Sequence, residues 1–218
     1  MYQHRDWQGA LLEFPASKVV CVGNNYAEHI KEMGSARAAE PLLFIKPETA
    51  LCDLHQPIAI PTEFGVVHHE IELAILIGSP LKQASEERVV EAIAGYGVAL
   101  DLTLRELQAG FISQGQPWEK AKGFDGSCPV SRFIPAAEFG DAQQAELKLV
   151  VNGKVRQQGN TRDMLTPIVP LIAYMSRFFT LRAGDIIITG TPPGVGPMLA
   201  GDQIEISLNG KLLTTRVI

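Results

Sequence analysis

Runs of apolar residues, and stretches in which apolar and polar residues alternate, divide the chain into short strands and a few helices. Residues 18–23 (KVVCVG) are almost wholly apolar over strand length, as a buried strand is. NYAEHIKEMG follows and predicts a short helix closed by Gly34. Residues 42–46 (LLFIK) read as a strand stopped by Pro47. Residues 66–78 (VVHHEIELAILIG) alternate and then turn fully apolar, which predicts one strand running from an edge or cleft into the core. Ser85 is placed to cap a helix whose first turn carries Glu86 and Glu87, where the helix dipole favours negative charge. GYGVALDLT predicts a strand ending near Asp101, and Thr103 with Glu106 forms the spacing of a capping box, so a helix is expected at once.

The second half is richer in strand signals. Asn152-Gly153 and Asn209-Gly210 each sit between strand-like runs, and Asn-Gly supplies the positive φ angles of a two-residue hairpin turn. Between them Ile168, Leu171, Ile172, Met175 and Phe179 recur at helical spacing and predict a core-facing helix. Pro167 and Pro170 are then confined to its first turn. Strands dominate and hairpins are frequent, so an α+β or mainly-β domain is expected.

Composition narrows the partners. The 218 residues are 46% hydrophobic and 20% charged, enough for one sizeable core, so a single domain over 1–218 is the expectation. The formal net charge is −5, and no basic stripe is present for nucleic acid. No apolar run approaches the roughly 20 residues of a membrane helix. MYQHRDWQGA at the start has no apolar signal-peptide core. Cys21, Cys52 and Cys128 are odd in number and lack CxxC spacing, which fits reduced thiols in a cytoplasmic protein better than a zinc site.

The sharpest chemical feature is HHEIEL, residues 68–73. On a strand Glu70 and Glu72 share a face, about 7 Å apart at the backbone. Their repulsion is relieved by a divalent cation, and carboxylate oxygens suit Mg²⁺, Mn²⁺ or Ca²⁺. Asp101, ending an apolar strand, is a third candidate ligand. The same residues also fit a solvated strand face followed by a turn, and on pattern alone that is the commoner case. His29 and Glu32 are neighbours on a helix, where a carboxylate raises the basicity of an imidazole; a chance surface pair has the same spacing. Lys122 (in WEKAKGFDGS) and Lys46 are each either solvated or placed to hold an anionic oxygen. TGTPPGVG, residues 189–196, lacks the GK[ST] of a phosphate loop, but its N–H groups and Thr191 are able to receive a carboxylate.

Together VGNNYAEHIKEM, LLFIKPETAL, HHEIELAILIG, GYGVALDLTLRELQ, WEKAKGFDGSCPV, VNGKVRQQGNT and GDIIITGTPPGVGP resemble the fumarylacetoacetate hydrolase family, in its order and over nearly the whole chain. The compact length is most similar to the acylpyruvase-like branch, with residues 1–16 as a short N-terminal extension. The resemblance implies a mixed β-roll, usually a homodimer. It implies that Glu70, Glu72 and Asp101 hold one Mg²⁺ or Mn²⁺ per chain. It also implies that His29 and Glu32 act as a dyad on a lid helix, that Lys122 is a pocket lysine, and that Arg105, Gln108 and Thr191 line the substrate pocket. Relatives often read GRNY where this chain has Gly23-Asn24-Asn25-Tyr26, which leaves substrate preference open. The implied substrate is a small 2-oxo acid, reacting through its enolate. Hydrolysis of the C–C bond of acylpyruvates is the first expectation. Enol–keto tautomerisation of oxaloacetate is the alternative, with decarboxylation as a side activity. A structural metal in a non-enzymatic binding module is the contrasting class.

Overall fold

A computed structural model describes residues 2–218. The frame is a mixed eight-stranded sheet in the order Leu42–Lys46, Val19–Gly23, Ile186–Ile188, Ile71–Ile77, Ile93–Leu100, Cys128–Val130 and Leu51–Asp53, with Ile134–Pro135 added beside Ile93–Leu100. Val19–Gly23 pairs parallel with Ile186–Ile188, which pairs antiparallel with Ile71–Ile77. All seven residues of Ile71–Ile77 are buried, as expected of a strand covered on both faces. A second, four-stranded sheet runs Lys154–Asn160, Glu146–Val151, Gln203–Leu208, Lys211–Arg216. A third, small sheet joins Gly196–Pro197, Val67–His69 and Thr103–Leu104.

Most predicted elements are present. The helices Ala27–Glu32, Glu86–Ala92, Arg105–Ser113 and Ile168–Phe178 lie where the pattern places them. Ser85 accepts from Arg88 N at its helix start, and Gly34 follows the first helix with φ +61°. Pro170 sits in the first turn of Ile168–Phe178, which buries Ile168, Leu171, Ile172 and Met175. Both Asn-Gly turns have positive φ at each residue: 50° and 72° at 152–153, 48° and 77° at 209–210.

Two expectations change. The strand predicted over 66–78 divides at Glu70: Val67–His69 belongs to the small sheet and Ile71–Ile77 to the large one. At the divide Ile71 N donates to the side chain of Gln157, 3.0 Å away, instead of continuing the Val67–His69 pairing. The Thr103–Glu106 capping box is not formed. Leu104 is the cap residue, and no side chain caps the helix. Thr103 lies on a strand, where its hydroxyl donates to Asp101 O and accepts from Lys122. Within residues 2–16, Tyr2, Leu12, Phe14 and Ala16 pack against a core that includes Val19, Cys21, Leu76 and Ile186. Among the described residues, no helix is long and apolar enough to cross a membrane.

Candidate active site

The carboxylates meet because of strand pairing. Ile71–Ile77 and Ile93–Leu100 run antiparallel with Ile71 opposite Leu100, and Asp101 N donates to Glu70 O at 2.8 Å just past that pair. Glu70 and Asp101 are therefore cross-strand neighbours. Glu72 lies opposite Ala99, two residues before Asp101 and so on the same side of the sheet. One carboxylate oxygen from each of Glu70, Glu72 and Asp101 lies within 4.8 Å of the others, and all three residues are buried.

Cations are distributed unevenly around the three. Glu70 is ion-paired to Arg105 and accepts from Lys122 Nζ at 2.9 Å. Asp101 accepts from Lys122 at 2.6 Å through Oδ2, and Lys122 also donates to Thr103 Oγ1 at 2.7 Å. Among the described residues, Glu72 receives only the backbone N–H of Gly190, at 2.6 Å. Burial opposes ionisation of Glu70, but Lys122 and Arg105 outweigh it and hold that carboxyl well below the usual range. Burial drives Glu72 the other way, well above the usual range, and the charges of Asp101 and Glu70 add to it. For Lys122 burial disfavours the charge, yet Asp101 and Glu70 prevail and its pKa rises. Asp101 Oδ1 is buried without an aligned hydrogen bond, although Lys46 Nζ lies 2.6 Å away. The protons of Lys46 go instead to the carbonyls of Leu102, Ser127 and Lys122. A buried group of convergent carboxylate oxygens, one member of which, Glu72, lacks a cation of its own, fits a hard divalent cation.

Lys46 is 0% exposed, so the solvated alternative for it is excluded. Its contacts with Leu102 O, Lys122 O, Ser127 O and Ser127 Oγ tie the segments carrying those residues together next to Asp101. Removing one charge from such a buried group costs about 3–5 kcal/mol.

A cavity of about 570 Å³ opens on this centre. His29, Glu70, Asp101, Arg105, Gln108 and Lys122 line it together. Arg105 reaches both Glu70 and, at 2.8 Å, Gln108 Oε1. The far wall is apolar, from Leu42, Phe44, Ile112 and Trp118. His29 Nδ1 donates to Glu32 Oε2 at 3.1 Å, because a carboxylate only accepts, and this leaves Nε2 as the basic atom. Glu32 Oε1 accepts from Gly194 N at 2.9 Å, tying the first helix to the loop over 189–196. That loop does receive carboxylates, and they are the protein's own: Glu72 at Gly190 and Glu32 at Gly194. Glycine is required at both. Gly190 has φ +92° and a Cβ there would lie 2.7 Å from Asn25 Cβ; Gly194 has φ +101° and its Cβ would lie 2.0 Å from Arg156 O.

Thr191 stands apart from the cavity lining. Its hydroxyl donates to Ile71 O at 2.8 Å and accepts from Gln157. Gln157 itself escaped the sequence reading. The available signal was a glutamine at an inward position of a strand whose residues 154–156 are exposed.

Comparison with known proteins agrees with this geometry. The family description "Fumarylacetoacetate (FAA) hydrolase C-terminal" matches residues 18–218. The oxaloacetate tautomerase YcgM of Escherichia coli K12 is 68% identical over 219 residues, covering all of both chains. The human mitochondrial oxaloacetate tautomerase FAHD1 is 43% identical over 197 residues, 90% of this chain and 89% of that protein. A crystal structure of fumarylpyruvate hydrolase from Pseudomonas aeruginosa, in complex with Mn²⁺ and pyruvate, superposes with TM-score 0.92 at 35% identity, over 100% of this chain and 95% of that one. With the fold, the ordered motifs and full-length similarity in agreement, this chain belongs to the fumarylacetoacetate hydrolase family.

Proposed function

We propose that this chain is a divalent-metal-dependent enzyme that acts on small 2-oxo acids through their enolates, with enol–keto tautomerisation of oxaloacetate as its leading activity. The convergence of Glu70, Glu72 and Asp101, two of which, Glu70 and Asp101, line a cavity that also holds His29, carries the reading. The sequence alone placed hydrolysis first; the relatives named oxaloacetate tautomerase, one of them 68% identical over its full length, support placing tautomerisation ahead of it. Hydrolysis of acylpyruvates remains the second reading, supported by the fumarylpyruvate hydrolase neighbour and by the His29–Glu32 pair.

Glu70, Glu72 and Asp101 are the residues that would hold Mg²⁺ or Mn²⁺, one per chain. The ion supplies Lewis-acid stabilisation of the negative charge that develops as C2 becomes enolic. The protein does the rest. Arg105 and Lys122 pair with Glu70 and fix its orientation. Gln108 braces Arg105 at the cavity wall. His29, oriented by Glu32, takes or returns the proton: at C3 in tautomerisation, or from water in hydrolysis. The first helix, over the cavity, excludes water when substrate is bound. A cytoplasmic homodimer of a single catalytic domain completes the proposal.

The test compares kcat/KM on enol-oxaloacetate, keto-oxaloacetate, acetylpyruvate and fumarylpyruvate with Mn²⁺ present, for wild type and Glu72→Gln. The expected result is turnover of enol-oxaloacetate in wild type, and a fall on every substrate in the variant together with weaker Mn²⁺ binding. Unchanged Mn²⁺ titration of Glu72→Gln would sink the ligand assignment.

A further inference from the structure

Ile71 is the one residue between Glu70 and Glu72, so whatever fixes its two peptide groups fixes the spacing of those carboxylates. Neither group is left to the Val67–His69 pairing. Ile71 N donates to Gln157 Oε1 at 3.0 Å, and Ile71 O accepts from Thr191 Oγ1 at 2.8 Å. The two side chains also bond each other, Gln157 Nε2 donating to Thr191 Oγ1 at 2.8 Å. The result is a closed ring: Ile71 N–H to Gln157, Gln157 to Thr191, Thr191 to Ile71 C=O. Its directions are settled by backbone groups of fixed character. Ile71 N–H only donates, and Pro192 O, 2.8 Å from Gln157 Nε2, only accepts. The amide can face only one way. His69 Nδ1, 2.9 Å from Oε1, must then carry a proton. Both polar atoms of the Gln157 side chain are used, and the residue is 0% exposed.

Gln157 comes from the four-stranded sheet, whereas Glu72 lies on the large one. The ring therefore ties a strand of one sheet to the point where the other begins. It also holds residues 191 and 192, next to Gly190, whose N–H contacts Glu72.

We propose that Gln157 is a positioning residue: with Thr191 it clamps the peptide groups of Ile71 and so sets the separation at which Glu70 and Glu72 present their oxygens. The inference rests on reading those carboxylates as the metal-holding group. Groups that orient metal ligands typically contribute about 10- to 100-fold in metal affinity.

Gln157→Glu keeps the size and breaks the pattern, since its second oxygen would face Pro192 O, an acceptor. Thr191→Val keeps the volume and removes the bond to Ile71 O. Thr191→Ser keeps the hydroxyl. Mn²⁺ affinity is titrated on each metal-free protein without substrate, and melting is followed in EDTA. Gln157→Glu and Thr191→Val are expected to bind Mn²⁺ about 10-fold or more weakly, and Thr191→Ser within about twofold of wild type. If Gln157→Glu does not fold, the Thr191 pair decides. Lower melting temperatures with Mn²⁺ affinity unchanged in Thr191→Val would overturn the proposal and leave the ring a scaffold only. So would equal weakening in Thr191→Ser and Thr191→Val, because the hydroxyl would then not be the agent. Failure of wild type to bind Mn²⁺ would remove the metal reading itself, and this inference with it.

Discussion

At the scale of single residues, His29 separates the reactions open to one enolate. Its Nδ1 is held by Glu32, so replacing His29 with Ala removes a base while leaving Glu70, Glu72 and Asp101 in place. Acylpyruvate hydrolysis needs a water deprotonated, and a positioned base contributes about 10² to 10⁴-fold, so that reaction should fall by such a factor. Tautomerisation needs a proton moved at C3 and should fall with it. Decarboxylation of oxaloacetate needs no proton removed from water and should stay within about tenfold of wild type. Parallel assays of the three on His29→Ala make the check, and equal loss of hydrolysis and decarboxylation with Mn²⁺ binding intact would show the pair has another task. The carboxylates were legible because Glu70 and Glu72 alternate on an apolar run and Asp101 ends one. The surroundings were not: which atom Lys122 or Lys46 meets depends on segments far apart in sequence, and the inward position of Gln157 on its strand is only a weak mark.

At the scale of elements, the helix Ala27–Glu32 has six residues, too few to persist alone. It is held by the buried side chains of His29 and Ile30 and by the Glu32 contact to Gly194. Hydrogen exchange of residues 27–33 should therefore slow when oxalate, an enolate mimic, occupies the cavity. Equal exchange with and without oxalate would count against closure. Local signals read well where the local rule operated unopposed, as at Ser85 and in the Asn-Gly turns. They failed where tertiary contacts claimed the same atoms. The hydroxyl of Thr103 has the spacing of a helix cap but serves Lys122, a buried cation with more to lose from an absent partner. The run over 66–78 reads as one strand, yet it is divided between two sheets at the point where Ile71 N donates to the Gln157 side chain.

At the scale of the molecule, stability and chemistry have separate sources. The core of Val20, Leu73, Ile75, Val98 and Ile187 and the second core around Val19, Leu76 and Ile186 are apolar and include none of the three carboxylates. Chelation with EDTA should abolish turnover and shift melting modestly, by about 2–4 °C for each 1 kcal/mol lost. Collapse of the cooperative transition on chelation would instead mark the metal as structural. The order of the large sheet bears on how the protein is made. Ile186–Ile188 lies between Val19–Gly23 and Ile71–Ile77, and Lys18 and Asp185, paired at its start, are 167 positions apart. A ribosome delivers the first strand long before its parallel neighbour Ile186–Ile188 exists, so the nascent chain must keep two apolar edges apart until residue 188 emerges. The carboxylates are synthesised in the first half, but Gly190, which contacts Glu72, comes after Ile186–Ile188. A chain released early thus carries all three acids and lacks the strand and loop that seat them, which makes it prone to aggregation.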